Sequence, residues 1–386
     1  MTTKKIFIIA AILLGLIGLT LFVYNIFFKA KPSSENPEAT SSLSPSTSQT
    51  VTPAPGNQSN QKTTPRILPI SQERAFGATI GIDGKTVKYF SQATGQIFES
   101  AFDGTNLKKI SSVTLSGLIK ALWSPDKDKV IGIFSENNQT KKYFYNYSNG
   151  QSSLLNNNVG YVAWSPDGKN IAYQFSSAAT EQSTISISDP DGSNWKNIFK
   201  TRLANLIVEW PSKEKISIRT QVSGLAQGLL YVIDSATGDF NKILSDLYGL
   251  NIRWSPKADK ILYSKTTNYG HNPSLTLADD KGANSQDLKI SGIIDKCVWS
   301  KDDRTVFCAI PQIISPDATW PDDYYKGLLI LADDFYKINL ETGEKTMVAT
   351  SNTQTSYDAQ DLFLSPKEDY LFFINRVDGL LYSLRI

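Results

Sequence analysis

A short turn-forming segment, Trp164-Ser165-Pro166-Asp167-Gly168, recurs along the chain in degenerate form. Its Ser, Pro and Gly fit the first, second and fourth positions of a type I turn, in which Pro presets φ. Aromatic or β-branched residues lie on both sides, so the segment predicts a β-hairpin. Seven hairpins of this kind define seven units, numbered in chain order by their tryptophan-equivalent residues: Ile80, Trp123, Trp164, Trp210, Trp254, Trp299 and Leu364.

The spacing of these units predicts the architecture. The first five intervals between tryptophan-equivalent residues are 41 to 46 residues long, and the last is 65. Six units carry Val, Ile or Leu seven positions after that residue, which fixes the hairpin register, and unit four has Ile216 one position earlier. A strand-rich repeat of this length is typical of a propeller blade. We therefore predict an all-β fold over residues 66–386, a seven-bladed β-propeller with four-stranded blades whose tryptophans wedge between neighbouring blades.

The two ends of the repeat region break the pattern in complementary ways. Unit seven stops after a third strand at 381–385, and a surplus strand at 66–70 precedes unit one. Pro69 within this surplus strand is compatible only with an edge position. We expect 66–70 to pair beside 381–385, which completes the last blade and closes the ring.

The N-terminal residues differ in composition from the units. Residues 6–28 contain no charge, and a helix of that length crosses a bilayer. A cleaved signal peptide is the alternative, but its apolar region is usually only about 7–15 residues long. We predict a cytoplasmic tail at 1–5, a transmembrane anchor at 6–28 and a disordered Ser-, Thr- and Pro-rich linker at 31–65. The expected location is the cell membrane, single-pass, with the propeller on the extracytoplasmic side.

The counts of reactive residues exclude several classes of protein. His271 is the one histidine, so a metal site with several imidazole ligands is excluded. Neither a G-x-S-x-G elbow nor a phosphate-binding glycine loop is present. The formal net charge is +2 with no long basic stripe, and we therefore expect no nucleic-acid partner. No catalytic residue, cofactor or metal ligand is predicted.

A family resemblance follows from the repeated motif. The W-S-P-D-G-K-x-I-A-Y pattern at 164–173, with D-P-D-G at 189–192, resembles the TolB-type propeller repeat, a relative of WD-repeat propellers. The resemblance covers about residues 66–386. It implies a scaffold for protein–protein contacts, commonly extracytoplasmic in bacteria, and its repeat motif carries no catalytic residues.

The longest interruption of the repeat is the main candidate for a binding site. About 20 extra residues, within 311–334, separate the second and third strands of unit six. The matching connection of unit five spans 266–273 and should open on the same face, where long loops on a rigid scaffold often carry function. A structural flap is the alternative. The residues predicted to contact a partner are Tyr269, His271, Trp320, Asp322, Asp323, Tyr324 and Tyr325.

Two further patterns leave alternatives open. Cys297 and Cys308 fall opposite one another across the hairpin of unit six, which is compatible with a disulfide or with two buried thiols. Charged residues recur at equivalent positions shortly before the tryptophan of several units. If these positions lie on the innermost strands, the charges would surround a central channel. They would form either structural ion pairs or a ligand site. These residues are Glu209, Arg253, Lys120, Lys296 and Asp361.

Two functions are consistent with these observations. The first is a membrane-anchored extracytoplasmic propeller that binds or scaffolds an unidentified protein of the cell envelope. The alternative is a propeller enzyme, a lyase or hydrolase, that acts on an envelope or extracellular polysaccharide. Propeller lyases use several histidines and a metal, and the single histidine of this chain argues against that class.

Overall fold

Strands dominate the computed structural model, which describes residues 67–177, 182–352 and 354–386. In six of the seven units, the second strand of the antiparallel sheet contains at least four consecutive buried residues. The predicted tail at 1–5, anchor at 6–28 and linker at 31–65 lie outside the described residues. In the described part of the chain, no helix has both the length and the apolar character needed to span a bilayer.

The first three units each form a four-stranded antiparallel sheet. The strands of unit one are β2 (Ala75–Ile80), β3 (Thr86–Ser91), β4 (Ile97–Ala101) and β5 (Lys108–Lys109). The strands of unit two are β6 (Leu118–Trp123), β7 (Lys129–Glu136), β8 (Gln139–Asn146) and β9 (Ser152–Leu154). The strands of unit three are β10 (Val159–Trp164), β11 (Ile171–Ser176), β12 (Ser183–Ser188) and β13 (Lys196–Thr201).

Units four and five share one seven-stranded sheet. Its strands are β14 (Ile207–Ser212), β15 (Lys215–Arg219), β16 (Gln227–Asp234), β17 (Phe240–Trp254), β18 (Lys260–Thr266), β19 (Ser274–Asp279) and β20 (Gln286–Ser291). The sequence predicts separate strands here, a fourth strand of unit four and a first strand of unit five. In the structure β17 provides both, because the intervening Leu247 and Tyr248 also pair with β16.

Units six and seven complete the set. The strands of unit six are β21 (Cys297–Trp299), β22 (Thr305–Pro311), β23 (Asp333–Asn339) and β24 (Lys345–Thr350). The strands of unit seven are β25 (Ala359–Leu364), β26 (Tyr370–Asn375) and β27 (Leu381–Arg385), which are joined by β1 (Ile67–Pro69). Among the described residues, the connections contain one short α-helix, α1 (Asp322–Tyr325), and two 3-10 turns, Asn268–Gly270 and Ile294–Lys296.

The predicted pairing between the two ends of the repeat region is confirmed. Strand β1 runs antiparallel to β27, with Ile67 opposite Leu384 and Pro69 opposite Tyr382. Since β1 is the outermost strand of its sheet, Pro69 sits at an edge, where its missing N–H is tolerated. The first and last described segments therefore hold each other in one sheet.

The predicted hairpin register is also confirmed. Trp164 faces Ile171, Trp254 faces Ile261 and Trp299 faces Val306, each partner lying seven positions later. These three partners have no solvent exposure. Apolar clusters form between consecutive sheets; Ala172 and Ile185 of unit three, for example, pack with residues of unit four.

The tryptophans link consecutive units, as the sequence predicts. Trp123 Nε1 donates a hydrogen bond to the Gly77 carbonyl oxygen at 2.8 Å, and Trp164 Nε1 donates to that of Leu122 at 2.9 Å. Each acceptor belongs to the first strand of the preceding unit. At Trp123 and Trp164, a half-buried indole whose N–H is satisfied thus links two consecutive sheets, whereas Trp210 Nε1 has no hydrogen-bond partner among the described residues.

Candidate functional site

The insertion of unit six folds as a small structure with its own apolar centre. We call residues 312–332, between β22 and β23, the flap. Trp320 and Tyr324 are buried inside it, at 0% and 4% exposure, and pack with Ala318, Leu331 and Ile293. Their rings stack with centroids 6.4 Å apart. The prediction that Trp320 and Tyr324 are exposed contact anchors is therefore wrong, because these large rings fill the core of the flap.

The flap is attached to the connections of units four and five. Asp322 accepts hydrogen bonds from Ser223 Oγ at 2.8 Å and from the Gly224 N–H at 2.7 Å. The Trp320 N–H donates to the Gly270 carbonyl oxygen at 2.8 Å. A Cβ on Gly224 would lie 2.1 Å from the Trp320 carbonyl oxygen, so only glycine permits this approach.

The two acidic residues predicted to face a partner are engaged within the protein. Asp322 holds the unit-four connection, as described above. Asp323 Oδ2 accepts a hydrogen bond from the Thr319 N–H at 2.8 Å, which closes the turn before α1. Both side chains are only partly exposed. Their carboxylates thus serve the attachment and the local geometry of the flap.

Tyr325 is held through its hydroxyl group and remains partly exposed. The hydroxyl donates to Asp295 Oδ2 at 2.8 Å and accepts from Asn251 Nδ2 at 3.1 Å. Burial and the neighbouring Asp295 carboxylate raise the pKa of Tyr325 above its ordinary value. The residue nevertheless remains 45% exposed, so part of it is available at the surface of the flap.

A buried ionic cluster lies beneath the flap. Lys296 Nζ lies 2.7 Å from both Asp333 Oδ2 and Asp358 Oδ1, and Asp358 Oδ2 lies 3.2 Å from Arg376 Nη1. The Tyr324 ring covers the cluster, 4.0 Å from the Arg376 guanidinium carbon and 5.1 Å from Lys296 Nζ. Of the two alternatives for Lys296, the structure shows the ion pair, but the side chain is buried within the protein and does not line a channel.

Burial dominates the electrostatics of the cluster. It raises the pKa of Asp333 to about 6, although Lys296 acts in the opposite direction. Burial alone would lower the pKa of Lys296, but Asp333, Tyr324 and Asp358 outweigh it and raise that pKa. Since burial of an isolated charge is very unfavourable, the cluster depends on its internal pairing.

Other predicted charges do lie together on the innermost strands. Asp361 is exposed to water, yet the surrounding protein raises the pKa of its carboxyl, and Arg253 and Lys120 oppose the rise. Glu209 Oε1 lies 3.7 Å from Arg219 Nη2. Glu209 and Arg253 also line an open cavity of about 370 Å³. The other lining residues of this cavity are Trp210, Pro211, Trp254, Pro256, Val298 and Trp299.

An exposed apolar patch surrounds the attachment points of the flap. Leu225 follows Gly224, and Tyr269 precedes Gly270, so both flank backbone that contacts the flap. Val377 follows Arg376, whose Nη1 donates to the Leu329 carbonyl oxygen at 3.4 Å. We define the flap-face patch as the exposed side chains Leu225, Tyr269, Ile313, Tyr325, Leu328, Ile330 and Val377.

The sequence does not predict most residues of the flap-face patch. Tyr269 and Tyr325 were predicted contacts, and His271 is exposed in the same connection as Tyr269. Leu225, Leu328 and Ile330 were missed, since isolated aliphatic residues in loops resemble ordinary core positions. The available signal was topological: all of them occur in connections between second and third strands, which open at one end of the sheets.

The cysteines face one another as predicted. Cys297 pairs directly with Cys308 across β21 and β22, and both are buried. Their Sγ atoms lie 2.10 Å apart, the distance of a disulfide bond. Within the ranges that the structure describes, no group of three or more His, Cys, Asp or Glu residues is placed to hold a metal ion.

The comparisons with known proteins concern the fold. No protein-family model matches the chain, and no curated protein matches it. The structure is similar to oligogalacturonate lyase from Vibrio parahaemolyticus, with TM-score 0.59, 8% identity, and 84% of this chain and 95% of that chain covered. It is also similar to the β-propeller domain of the Trilobed protease from Pyrococcus furiosus, with TM-score 0.51, 12% identity, and 81% and 95% covered.

A TolB structure is a more distant neighbour. TolB from Acinetobacter baumannii gives TM-score 0.45 and 14% identity over 73% of this chain and 64% of that chain. The similarities with higher scores agree with the four-stranded sheets in defining a protein of the β-propeller class. At identities this low, the likeness concerns the fold, and the site must be interpreted from its own residues.

Proposed function

We propose that this chain is a seven-bladed β-propeller that binds a protein partner of the cell envelope through the flap-face patch. In this proposal, residues 6–28 anchor it in the membrane and 31–65 hold the propeller on the extracytoplasmic side. The seven repeated hairpins and the division of β17 between units four and five support the blade count. The pairing of β1 with β27 supports a closed ring.

The observation that carries the binding function is the flap-face patch. Leu328, Ile330 and Tyr269 are 69%, 76% and 67% exposed, and they lie on or beside one rigidly attached structure. Several exposed apolar side chains on connections that contact one another are typical of protein-interaction surfaces. Tyr269 and Tyr325 add aromatic area with few rotatable bonds, a common property of interface residues.

The rigidity of the flap supports the same proposal. Asp322 accepts hydrogen bonds from the connection of unit four, and the Trp320 N–H donates one to the connection of unit five. Arg376 Nη2 donates to the Tyr324 carbonyl oxygen and joins the flap to unit seven. A surface held in its bound conformation avoids the entropic cost of ordering on association. We infer that the flap presents Leu328 and Ile330 in fixed positions to a partner.

Site-specific photo-crosslinking on intact cells tests this function. A crosslinking amino acid at Leu328 or Tyr269 should give the same discrete protein adduct. Ile82 provides the matched control, because it is 67% exposed but lies in a turn between first and second strands, at the other end of the sheets. Adducts from Ile82 alone, or equal adducts from every position, would contradict the proposal.

The alternative function is that of a polysaccharide lyase or hydrolase. It is supported only by the similarity of the fold to that of oligogalacturonate lyase. We expect the purified protein to release no unsaturated products from oligogalacturonate, with or without Mn²⁺. Turnover that depends on His271 would instead favour the enzyme.

A further inference from the structure

An amine and two carboxylates meet in a site that excludes water. Lys296 Nζ contacts Asp333 Oδ2 and Asp358 Oδ1 at 2.7 Å each, and the Ala359 carbonyl oxygen at 2.9 Å. The side chains of Lys296, Asp333 and Asp358 are at most 1% exposed. The Tyr324 ring of the flap lies above Lys296 Nζ. An ammonium group and two carboxylates are therefore held together without competing solvent.

The two carboxylates have different environments. Asp358 Oδ2 accepts hydrogen bonds from Arg376 Nη1 at 3.2 Å and from the Leu331 N–H at 3.1 Å, so its charge is compensated independently of Lys296. Asp333 Oδ2 accepts from the Ala359 N–H at 2.7 Å and from Lys296. Asp333 Oδ1, in contrast, is buried without a hydrogen-bond partner among the described residues. Burial of an oxygen without a hydrogen bond is energetically unfavourable. Loss of Oδ1 from Asp333 would therefore remove an unfavourable contribution to the free energy of the folded state.

We propose that Lys296 and Asp333 condense to an intramolecular amide bond, with Asp358 transferring the protons. The Lys296 ammonium first gives one proton to Asp358 Oδ1, and the amine so formed attacks Cγ of Asp333 while the Ala359 N–H holds Oδ2, which becomes the amide carbonyl oxygen. The Cγ–Oδ1 bond breaks, and Oδ1 leaves as water with two of the three ammonium protons. The third proton stays on the amide nitrogen. Ammonium and carboxylate thus give amide and water, and no oxidant, reductant or co-reactant is needed.

Proximity and geometry favour the forward reaction. Groups held in contact within one chain react with effective molarities of roughly 10⁵–10⁸ M when they are well oriented. Asp358 Oδ1 touches Lys296 Nζ and can take up the protons that nitrogen must lose. The Ala359 N–H is already directed at the oxygen on which negative charge develops.

Burial favours the product. A buried ion pair has lost its hydration, and its mutual attraction only partly offsets that loss. An amide in place of the Lys296 and Asp333 charges removes this penalty. The remaining Asp358 and Arg376 form a neutral pair at 3.2 Å, so the reaction leaves no uncompensated charge in the interior. The bond would join the start of β21 to the start of β23, directly after the flap.

Mass spectrometry of the full-length, reduced and denatured protein tests the proposal. Wild type should be lighter than the Lys296→Arg variant. The mass difference should exceed the value calculated from the two sequences by the mass of one water molecule. The comparison cancels N-terminal processing, and reduction removes the contribution of the cysteines. A tryptic digest should contain residues 290–301 linked to 327–337, uncleaved after Lys296, with fragments that place the link at Asp333. A wild type of full sequence mass, or a link to Asp358, would overturn the proposal.

Variants separate the proposed roles. Lys289→Arg, at an exposed surface ion pair, is the matched control and should retain the loss of water. Asp358→Asn should retain the side-chain volume but lose the link, because the proton carrier is absent. A link formed at the wild-type rate in Asp358→Asn would contradict the role of Asp358. The mass of the wild-type protein shows whether the amide between Lys296 and Asp333 has formed, even if Asp358→Asn does not fold.

Discussion

At the scale of single residues, the repeated serine explains why the hairpin motif is so regular. Ser165 Oγ donates to Asp167 Oδ1 at 2.7 Å and accepts from the Asn170 N–H at 2.9 Å. Ser365 accepts the equivalent hydrogen bond from Tyr370, and it donates to Asp369, which lies four positions later instead of two. These serines are buried, so a residue without a hydroxyl would leave the turn's N–H groups unpaired. The serine of the motif thus serves to form the turn.

The turn carboxylate predicts a pH dependence. Hydrogen bonds from Ser165 Oγ and from the Lys169 N–H lower the pKa of Asp167 below its usual 3.8. A folded-state pKa below the unfolded value means that the stabilisation is present at neutral pH and lost as pH falls through the folded pKa. The difference in unfolding free energy between wild type and Asp167→Asn should therefore be constant near pH 7 and shrink below about pH 4. A difference that persists unchanged at pH 3 would contradict this assignment.

The facing cysteines give a second prediction at this scale. Because Cys297 and Cys308 face one another and form a disulfide, the unreduced, unfolded protein should contain no reactive thiol. Titration with a thiol reagent in denaturant measures this directly, and the reduced sample, with two thiols, is the control. Two reactive thiols without reduction would show that the pair is not bonded in the protein as isolated.

At the scale of elements, the flap is a structural unit whose core is Trp320. Truncation of a fully buried indole leaves a cavity and typically costs about 3–5 kcal/mol. Trp320→Ala should therefore lower the free energy of unfolding by this order in a denaturant titration. Tyr269→Ala, at an exposed aromatic residue, is the control and should leave stability nearly unchanged. Wild-type stability in Trp320→Ala would mean that the flap contributes nothing to the fold.

The flap also shows what the sequence can and cannot predict. Hairpin register followed from a spacing of seven residues, and the pairing of Ile67–Pro69 with Leu381–Arg385 followed from a missing fourth strand. The first prediction uses only local spacing, and the second uses only the number of strands in a unit. The burial of Trp320 and Lys296 depends on contacts with residues 50 to 100 positions away, such as Gly270 and Asp358, and no local pattern contains that information.

At the scale of the whole molecule, pairing between the chain ends should control cooperativity. Removal of residues 66–71 deletes β1 and exposes the edge of β27. This truncation should lower the melting temperature far more than removal of residues 31–60, which precede the first described strand. Differential scanning calorimetry of the two truncated proteins makes the comparison. Equal melting temperatures would show that β1 does not lock the sheets together.

The central claim is that the flap-face patch binds a protein partner, and the affinity for the crosslinked partner tests it most directly. Leu328→Ser combined with Ile330→Ser removes exposed apolar area while leaving Trp320 and Tyr324 in place. The dissociation constant, measured by calorimetry, should rise at least tenfold, equivalent to about 1.4 kcal/mol, if these side chains are central contacts. Ile82→Ser should bind like wild type. Equal affinities for wild type and the double variant would contradict the claim.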